Sequence, residues 1–210
     1  MPLSAPAPRE ELHCRTVTCT GYARQDGLYD IEGHMTDIKT YPFPNKDRGG
    51  QIDPGDPLHE MWLRLTVDLD FKIHAVEACT DKSPFSICPE AAAPYASLVG
   101  LVIGPGFKAE VRRRLGGVTG CTHLTELLGP MATTTFQALF SQRKKRRLQE
   151  QGGDSSDDLP VDQDPNSRRD ERRALVNSCY AFRDEGPIVA RELPQFYKGT
   201  DPLPPRESEG

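Results

Sequence analysis

The chain has 210 residues, of which 36% are apolar, 19 are proline and 18 are glycine, and its formal net charge is −5. This length fits one domain of ordinary size with loop-rich ends, and the acidic balance argues against general DNA binding, which needs a basic face. The first residues lack the apolar run of a secretory signal, and no apolar stretch is long enough to cross a bilayer. We therefore expect a soluble, cytoplasmic protein.

The N-terminal half is predicted to form an antiparallel sheet. Residues 13–41 contain two β-prone runs separated by an Asp-Gly turn signal, and residues 42–57 form a loop crowded with Pro, Gly, Asn and Asp. Over residues 61–70, apolar and polar residues alternate with period two, which predicts a half-buried strand. Residues 73–78 can return beside this strand as its hairpin partner.

Three helices are predicted to follow the strands. Residues 91–102 form a short helix, and a second helix begins at Pro105 and ends at the double glycine that follows Leu115. A longer amphipathic helix begins near Thr122 and runs towards Arg147. The predicted fold class is therefore α+β, with an antiparallel sheet from the N-terminal half packed against three helices.

Composition divides the chain into one domain and its polar flanks. Residues 12–147 are expected to form the α+β domain, preceded by a disordered Pro/Ala-rich tail over residues 1–11. Residues 148–173 are charged and almost lack bulky apolar side chains, which predicts a disordered linker. Residues 174–198 become apolar again and are expected to pack back on the domain, whereas residues 199–210 form a second disordered tail.

Three chemically active residues stand at the edges of these elements. His59 precedes the period-two strand, Cys88 follows the hairpin, and Cys121 directly precedes the long helix. Zinc and iron bind thiolates and imidazoles, so we predict a zinc or iron site at His59, Cys88 and Cys121. The sequence leaves four candidates for the fourth ligand: His123, Asp81, Cys179 and water.

Cys121 also lies where a thiol can be chemically active. The N-terminus of a helix carries a partial positive charge and unpaired N–H groups, and both favour the thiolate form. His123 faces the same side as Cys121 if Cys121 lies outside the helix. A nucleophile set of Cys121, His123 and Glu126 is a minority alternative, because neighbours this close in sequence rarely reach triad geometry.

Other candidate residues have a plainer interpretation. The basic run 143–147 is interpreted as the solvated end of the long helix, since no aromatic residues are interleaved with it for stacking on nucleic acid. Four acidic residues of the first strands could bind a cation or serve as acid/base groups: Asp26, Asp30, Glu32 and Asp37. The preferred interpretation is a solvated strand face, with Asp26 in a turn. Three further cysteines are interpreted as small buried apolar residues: Cys14, Cys19 and Cys79.

Three long segments resemble an uncharacterised bacterial family, a domain of unknown function. They are GYARQDGLYDIEGHMTDIK (21–39), HEMWLRLTVD (59–68) and GCTHLTELLGPMATTTFQ (120–137). The resemblance covers most of residues 13–143, with a weaker similarity at residues 177–182. It implies membership of that family, and it brings no activity with it.

Residues 59–140 also resemble the iron–sulphur scaffold domain of the IscU/NifU type. By this resemblance, the three cluster ligands of that domain correspond to His59, Cys88 and Cys121. The sequence departs from the pattern, because the first ligand is histidine, Met61 replaces an aspartate, and a Gly-Cys-Gly motif is absent. Exchanging a thiolate for an imidazole suits a single metal ion better than an iron–sulphur cluster.

The sequence thus supports one leading function and two alternatives. The leading interpretation is a metal-binding accessory or scaffold-like protein, with an unidentified protein as its partner. The first alternative is a small enzyme that uses the same metal, or Cys121, for chemistry. The second is a structural interaction module without metal. Neither nucleic acid nor a membrane is expected as a partner.

Overall fold

The computed structural model describes residues 3–150, 173 and 175–200, and the chain divides into two compact units, Met1–Ser155 and Ser156–Gly210. Most of the predicted charged linker and all but two residues of the predicted C-terminal tail lie outside the described residues. Within the described part of the chain, no helix has both the length and the apolar character needed to cross a bilayer.

A four-stranded antiparallel sheet forms the centre of the first unit. Its strands are β1 (His13–Ala23), β2 (Tyr29–Lys39), β5 (Pro57–Val67) and β6 (Ile73–Lys82), and they lie in the order β1-β2-β5-β6. The strand and hairpin predictions are therefore confirmed, except that β5 begins four residues earlier than predicted and ends at Val67, so His59 lies inside the strand.

The segment predicted to be a loop contains a small two-stranded ribbon. Its strands are β3 (Phe43–Asn45) and β4 (Gly50–Ile52), which pair in antiparallel orientation. The connecting turn needs positive φ angles, and Gly49 and Gly50 supply them at 81° and 107°. Glycine adopts these angles without a steric penalty, so the same residues that suggested a loop also allow a tight reversal.

The large sheet has one buried face and one exposed face. On β5 the residues at odd positions are buried, from Met61 to Val67, whereas Trp62 and Arg64 are exposed. The same alternation runs through β2, where Ile31 and Met35 are fully buried. Period-two patterning therefore predicts correctly which face of the sheet joins the core.

Three helical segments follow the sheet, as the sequence predicts: a 3₁₀ helix (Cys88–Leu98), α1 (Phe107–Leu115) and α2 (Thr122–Glu150). The first of them begins earlier than predicted and is not an α-helix. Pro94 lies inside it, and proline has no N–H for the regular α-helical hydrogen bond. The end of α1 at Gly116 agrees with the predicted glycine stop.

Helix α2 joins the core of the first unit through Leu124, Leu127, Leu128, Met131 and Leu139, all of which are buried. Phe140 is 70% exposed, since it lies one position beyond Leu139 around the helix. The packing is close at Gly21 on β1. A methyl group added there would lie 2.7 Å from the Cβ of Ala138.

The second unit contains a helix, Pro187–Glu192, followed by a 3₁₀ turn, Pro194–Phe196. Asp184 connects its parts: the backbone N–H of Asp184 donates to Asn177 Oδ1, and its carboxylate pairs with Lys198 Nζ at 3.1 Å. Whether this unit packs back on the first one, as the sequence suggests, stays a prediction.

The close approach of β1 and α2 generates a stability prediction. Gly21→Ala should lower the free energy of unfolding by about 2 kcal/mol, because the new methyl group forces helix and strand apart. In the double variant, Ala138→Gly should recover part of that loss, although glycine itself costs about 1 kcal/mol in a helix. Urea unfolding of both single variants and the double variant measures the coupling, and strictly additive losses would contradict this packing.

Candidate metal centre

The register of the sheet brings three distant polar residues into one row. Arg15 on β1 is opposite Asp37 on β2, and Asp37 is opposite His59 on β5. All three side chains belong to the inner face, at the end of the sheet where β2 finishes and β5 begins. His123, in the first turn of α2, reaches the same place: its ring centroid lies 3.9 Å from that of His59.

Asp37 is the buried anchor of this row, with only 1% of its surface exposed. Arg15 donates to both of its carboxylate oxygens, from Nε to Oδ1 and from Nη2 to Oδ2, each at 2.7 Å. Oδ2 also accepts from His59 Nδ1 at 2.9 Å, and Oδ1 accepts from His13 Nε2 at 3.1 Å. A buried carboxylate with this many donors is fully satisfied.

The ionisation of Asp37 follows from these partners. Burial alone would raise its pKa, but the hydrogen bonds and charge of Arg15, followed by those of His59, outweigh burial and lower the pKa to about 2. Asp37 is therefore a carboxylate at neutral pH, and an ionised carboxylate only accepts hydrogen bonds. The hydrogen in the contact with His59 must then reside on Nδ1 of the imidazole.

His59 is left with a free ring nitrogen. Burial and the neighbouring His123 lower its pKa, against the opposite influence of Asp37, so the neutral imidazole is favoured. A neutral ring that carries its hydrogen on Nδ1 has its lone pair on Nε2. This is the form of histidine that binds a metal ion or accepts a proton.

Asp37, His59 and His123 form a group in which one ligand atom from each residue lies within 4.8 Å of the others. Ligands bonded to one tetrahedral ion at 2.0–2.2 Å lie about 3.4 Å apart. The limit of 4.8 Å is wider than this spacing, and the two rings are tilted by only 30°, so both side chains would have to rotate before the two imidazoles could share an ion.

Cys121 lies at the edge of this group. Its Sγ is 3.9 Å from Nδ1 of His123, and a sulphur and a nitrogen bonded to one zinc ion would be about 3.5 Å apart. Both residues are half-buried, so this side of the group is open to solvent, whereas Asp37 and His59 close the other side.

Of the predicted ligands, the structure brings His59 and His123 into one group. Cys121 contacts His123 but does not itself belong to that group. Cys88 is half-buried at the start of the 3₁₀ helix and does not belong to that group. Of the other fourth-ligand candidates, Asp81 lies on β6 outside the group, and Cys179 is exposed in the second unit. A ligand role for Cys88 stays a prediction.

The interpretation of Asp37 as part of a solvated strand face is wrong. The signal that identifies it is parity, because Asp37 lies an even number of residues from Ile31 and Met35 and so shares their buried face. Asp30 and Glu32 do lie on the outer face, where Arg24 and Arg64 pair with them. A carboxylate on the apolar face of a strand needs a buried partner, and Arg15 is that partner.

The interpretation of Cys14 and Cys79 as buried residues is also wrong, since both are exposed, and Cys19 is half-buried. Cys14 and Cys79 lie on β1 and β6, the two edge strands, and their side chains belong to the uncovered outer face. The low polarity of cysteine does not decide which face of a strand it occupies.

Fold and site together define an α+β protein with a histidine- and carboxylate-containing candidate metal centre. The family described as "Protein of unknown function (DUF2889)" matches residues 13–137, more than half of the chain, and the chain belongs to that family. No curated protein and no solved structure matches the chain. The resemblance to the IscU/NifU scaffold domain therefore stays a prediction.

Asp37 should link the free energy of unfolding to pH. Its pKa is about 2 in the folded protein, below the ordinary value of 3.8, so the unfolded chain binds its proton more tightly. The resulting stabilisation, about 2 kcal/mol, is complete above about pH 5 and is lost as the pH falls towards 2.

Urea unfolding of the wild type and of Asp37→Asn across that pH interval measures this linkage. The difference in unfolding free energy between the two proteins should shrink on acidification, because only the wild type carries the titrating group. A difference that stays constant down to about pH 2 would show that Asp37 is not held as a carboxylate by Arg15.

Proposed function

We propose that this protein binds a single zinc or iron ion through His59, His123 and Cys121, with Asp37 orienting His59 from outside the coordination shell. The observation that carries the proposal is the arrangement around His123: its ring shares a group with Asp37 and His59, whose ligand atoms all lie within 4.8 Å of one another, and its Nδ1 lies 3.9 Å from Cys121 Sγ. Asp37, His59 and His123 come from β2, β5 and α2, so the complete fold is needed to assemble the site.

The contacts of Asp37 favour a supporting role over direct ligation. Arg15 already engages both carboxylate oxygens, and a metal ion beside that guanidinium would meet a positive charge. Histidines that bind metals usually donate their other ring N–H to a carboxylate, which fixes the tautomer and the ring orientation. The bond between Asp37 and His59 Nδ1 has this form, and it leaves Nε2 as the His59 atom that would bind the ion.

The ligand set favours one ion over an iron–sulphur cluster. Clusters are held mostly by thiolates, commonly four, whereas this site offers two imidazoles and the single thiol of Cys121. Such a mixed set suits zinc or ferrous iron. Three protein ligands leave a fourth coordination position for Cys88, water or a substrate. The occupant of this position distinguishes two functions, an accessory metal carrier and an enzyme that uses the ion as a Lewis acid.

Reducing conditions fit this proposal. Cys121 must stay a free thiol to bind the ion, and all six cysteines of the chain are free. Cytosolic reductants maintain cysteines in that state, so a cytoplasmic location is part of the proposal.

Elemental analysis tests the proposed site. Protein reconstituted separately with Zn²⁺ and Fe²⁺ and then desalted should retain about one ion per chain. His59→Gln, His123→Gln and Cys121→Ser should each weaken binding by at least about 10-fold, since each removes one bond to the ion. The same measurement on Cys88→Ser shows whether Cys88 is the fourth ligand, since binding weakens only if Cys88 bonds to the ion.

His74→Gln is the matched control for the histidine variants. His74 lies at the start of β6 and pairs with Asp68, so its replacement should leave the metal content unchanged. Cys79→Ser on the exposed face serves the same purpose for the cysteine variants. The proposal fails if the wild type retains neither ion, or if His59→Gln and Cys121→Ser bind as the wild type does.

One observation favours a second candidate function, in which Cys121 is a nucleophile. Its Sγ lies 3.9 Å from Nδ1 of His123, which is the pairing that activates a thiol for attack on an electrophile. His123, the base of the predicted set, is therefore adjacent to the thiol of Cys121. Glu126, the predicted acidic partner of His123, is engaged by Arg15 instead.

Alkylation by iodoacetamide in the presence of a chelator tests this alternative. If Cys121 is an activated nucleophile, peptide mapping should show that it reacts faster than the exposed Cys79, and that His123→Gln slows it by at least about 10-fold. Equal rates for Cys121 in the wild type and in His123→Gln would exclude the alternative.

A further inference from the structure

We infer that Tyr95 is a positioning residue for the metal centre, because its hydroxyl group fixes the backbone of Cys121 so that the thiol faces the ion. The inference rests on the proposed function and concerns a residue that is not itself a ligand. Tyr95 belongs to the 3₁₀ helix Cys88–Leu98. Among the candidate ligands, Cys88 alone lies on that helix.

The contacts of Tyr95 are specific. Its side chain is fully buried, and its hydroxyl donates to the backbone carbonyl of Cys121 at 2.7 Å. The same hydroxyl oxygen lies 2.6 Å from Oγ1 of Thr125, one turn into α2. The Tyr95 hydroxyl group therefore connects the 3₁₀ helix to the residue that precedes α2 and to the first turn of that helix.

Helix formation alone does not require this hydroxyl. The carbonyl of Cys121 already accepts the backbone N–H of Thr125 at 3.0 Å, which is the first hydrogen bond of α2. The second donor, from Tyr95, adds a constraint from a different direction. Two donors on one carbonyl oxygen fix the orientation of the peptide plane that joins Cys121 to the helix.

A fixed peptide plane limits where the sulphur can lie. Once the backbone of Cys121 is held, only rotation about χ1 remains, and it offers three staggered positions. One of these places Sγ 3.9 Å from His123 Nδ1, at the solvent-open side of the site. Metal coordination tolerates errors of only about 0.2 Å in bond length, so support of this kind should increase affinity.

Tyr95→Phe tests the inference, because it removes only the hydroxyl group. The full chain is titrated with Co²⁺, which reports both affinity and, through thiolate-to-cobalt charge-transfer absorption, bonding to Cys121. Tyr95→Phe should bind Co²⁺ about 10-fold more weakly and show a weaker charge-transfer band. Unfolding of the metal-free proteins records how much stability each variant loses.

Thr135→Val is the matched control. Thr135 is fully buried in the same helix, and its hydroxyl donates to the carbonyl of Met131 at 2.9 Å, far from the ligands. This variant also loses one buried hydroxyl group, so it should be destabilised but should bind Co²⁺ as the wild type does. If Thr135→Val weakens Co²⁺ binding as much as Tyr95→Phe, general destabilisation explains both, and the inference fails.

The remaining outcomes separate the inference from the proposed function. Wild-type affinity and an unchanged charge-transfer band in Tyr95→Phe overturn the positioning role and leave the metal site intact. A wild type that binds no Co²⁺ overturns the metal site itself. If Tyr95→Phe does not fold without metal, it is refolded with Co²⁺ present, and a charge-transfer band equal to that of the wild type also overturns the inference.

Discussion

The bidentate pair of Arg15 and Asp37 is the constraint on which the candidate site depends. A carboxylate with 1% exposure is costly unless strong donors surround it, and Arg15 supplies two of them. The pair keeps Asp37 ionised, and an ionised Asp37 in turn fixes the hydrogen of His59 on Nδ1. The ion pair of Arg15 and Asp37 therefore determines that Nε2 of His59 carries no hydrogen, although Arg15 does not itself hydrogen-bond to His59.

Strand register explains how such distant residues meet. Arg15 and Asp37 are 22 residues apart in sequence, and so are Asp37 and His59, yet each pair is directly opposite in the antiparallel sheet. A slip of one residue in either strand pair would turn one of these side chains to the outer face. Met35 and Met61, which are opposite each other in the next row of the same face, hold the register by their burial.

Much of this arrangement follows from the sequence, but not all of it. The alternation on β5 predicts the buried face, and the position of Cys121 before α2 predicts a thiol at a helix start. Asp37 was missed although its parity placed it on the buried face, since a carboxylate there is credible only once Arg15 is known to be its partner. The pairing of β1 with β2 supplies that partner, and it depends on tertiary register that local patterning does not encode.

The ligand set limits what the site can do. In the proposed site, two imidazoles and a thiol would favour a single ion of intermediate softness. Cys121 and His123 are half-buried, so an exchangeable ligand could reach the ion from their side. Asp37 and His59 are buried, and the carboxylate of Asp37 orients the ring of His59 through Nδ1. Such a division between a rigid, buried half and an accessible half suits either transfer of the ion to a partner or chemistry on a bound substrate.

The central claim is that an imidazole pair and one thiol share a cation. X-ray absorption spectroscopy of the zinc-loaded protein tests it most directly, because the bond lengths identify the ligand atoms. The account predicts one sulphur at about 2.3 Å and nitrogen or oxygen ligands at about 2.0 Å, with the multiple-scattering pattern of imidazole. A shell of oxygen atoms alone, without sulphur or imidazole, would contradict it.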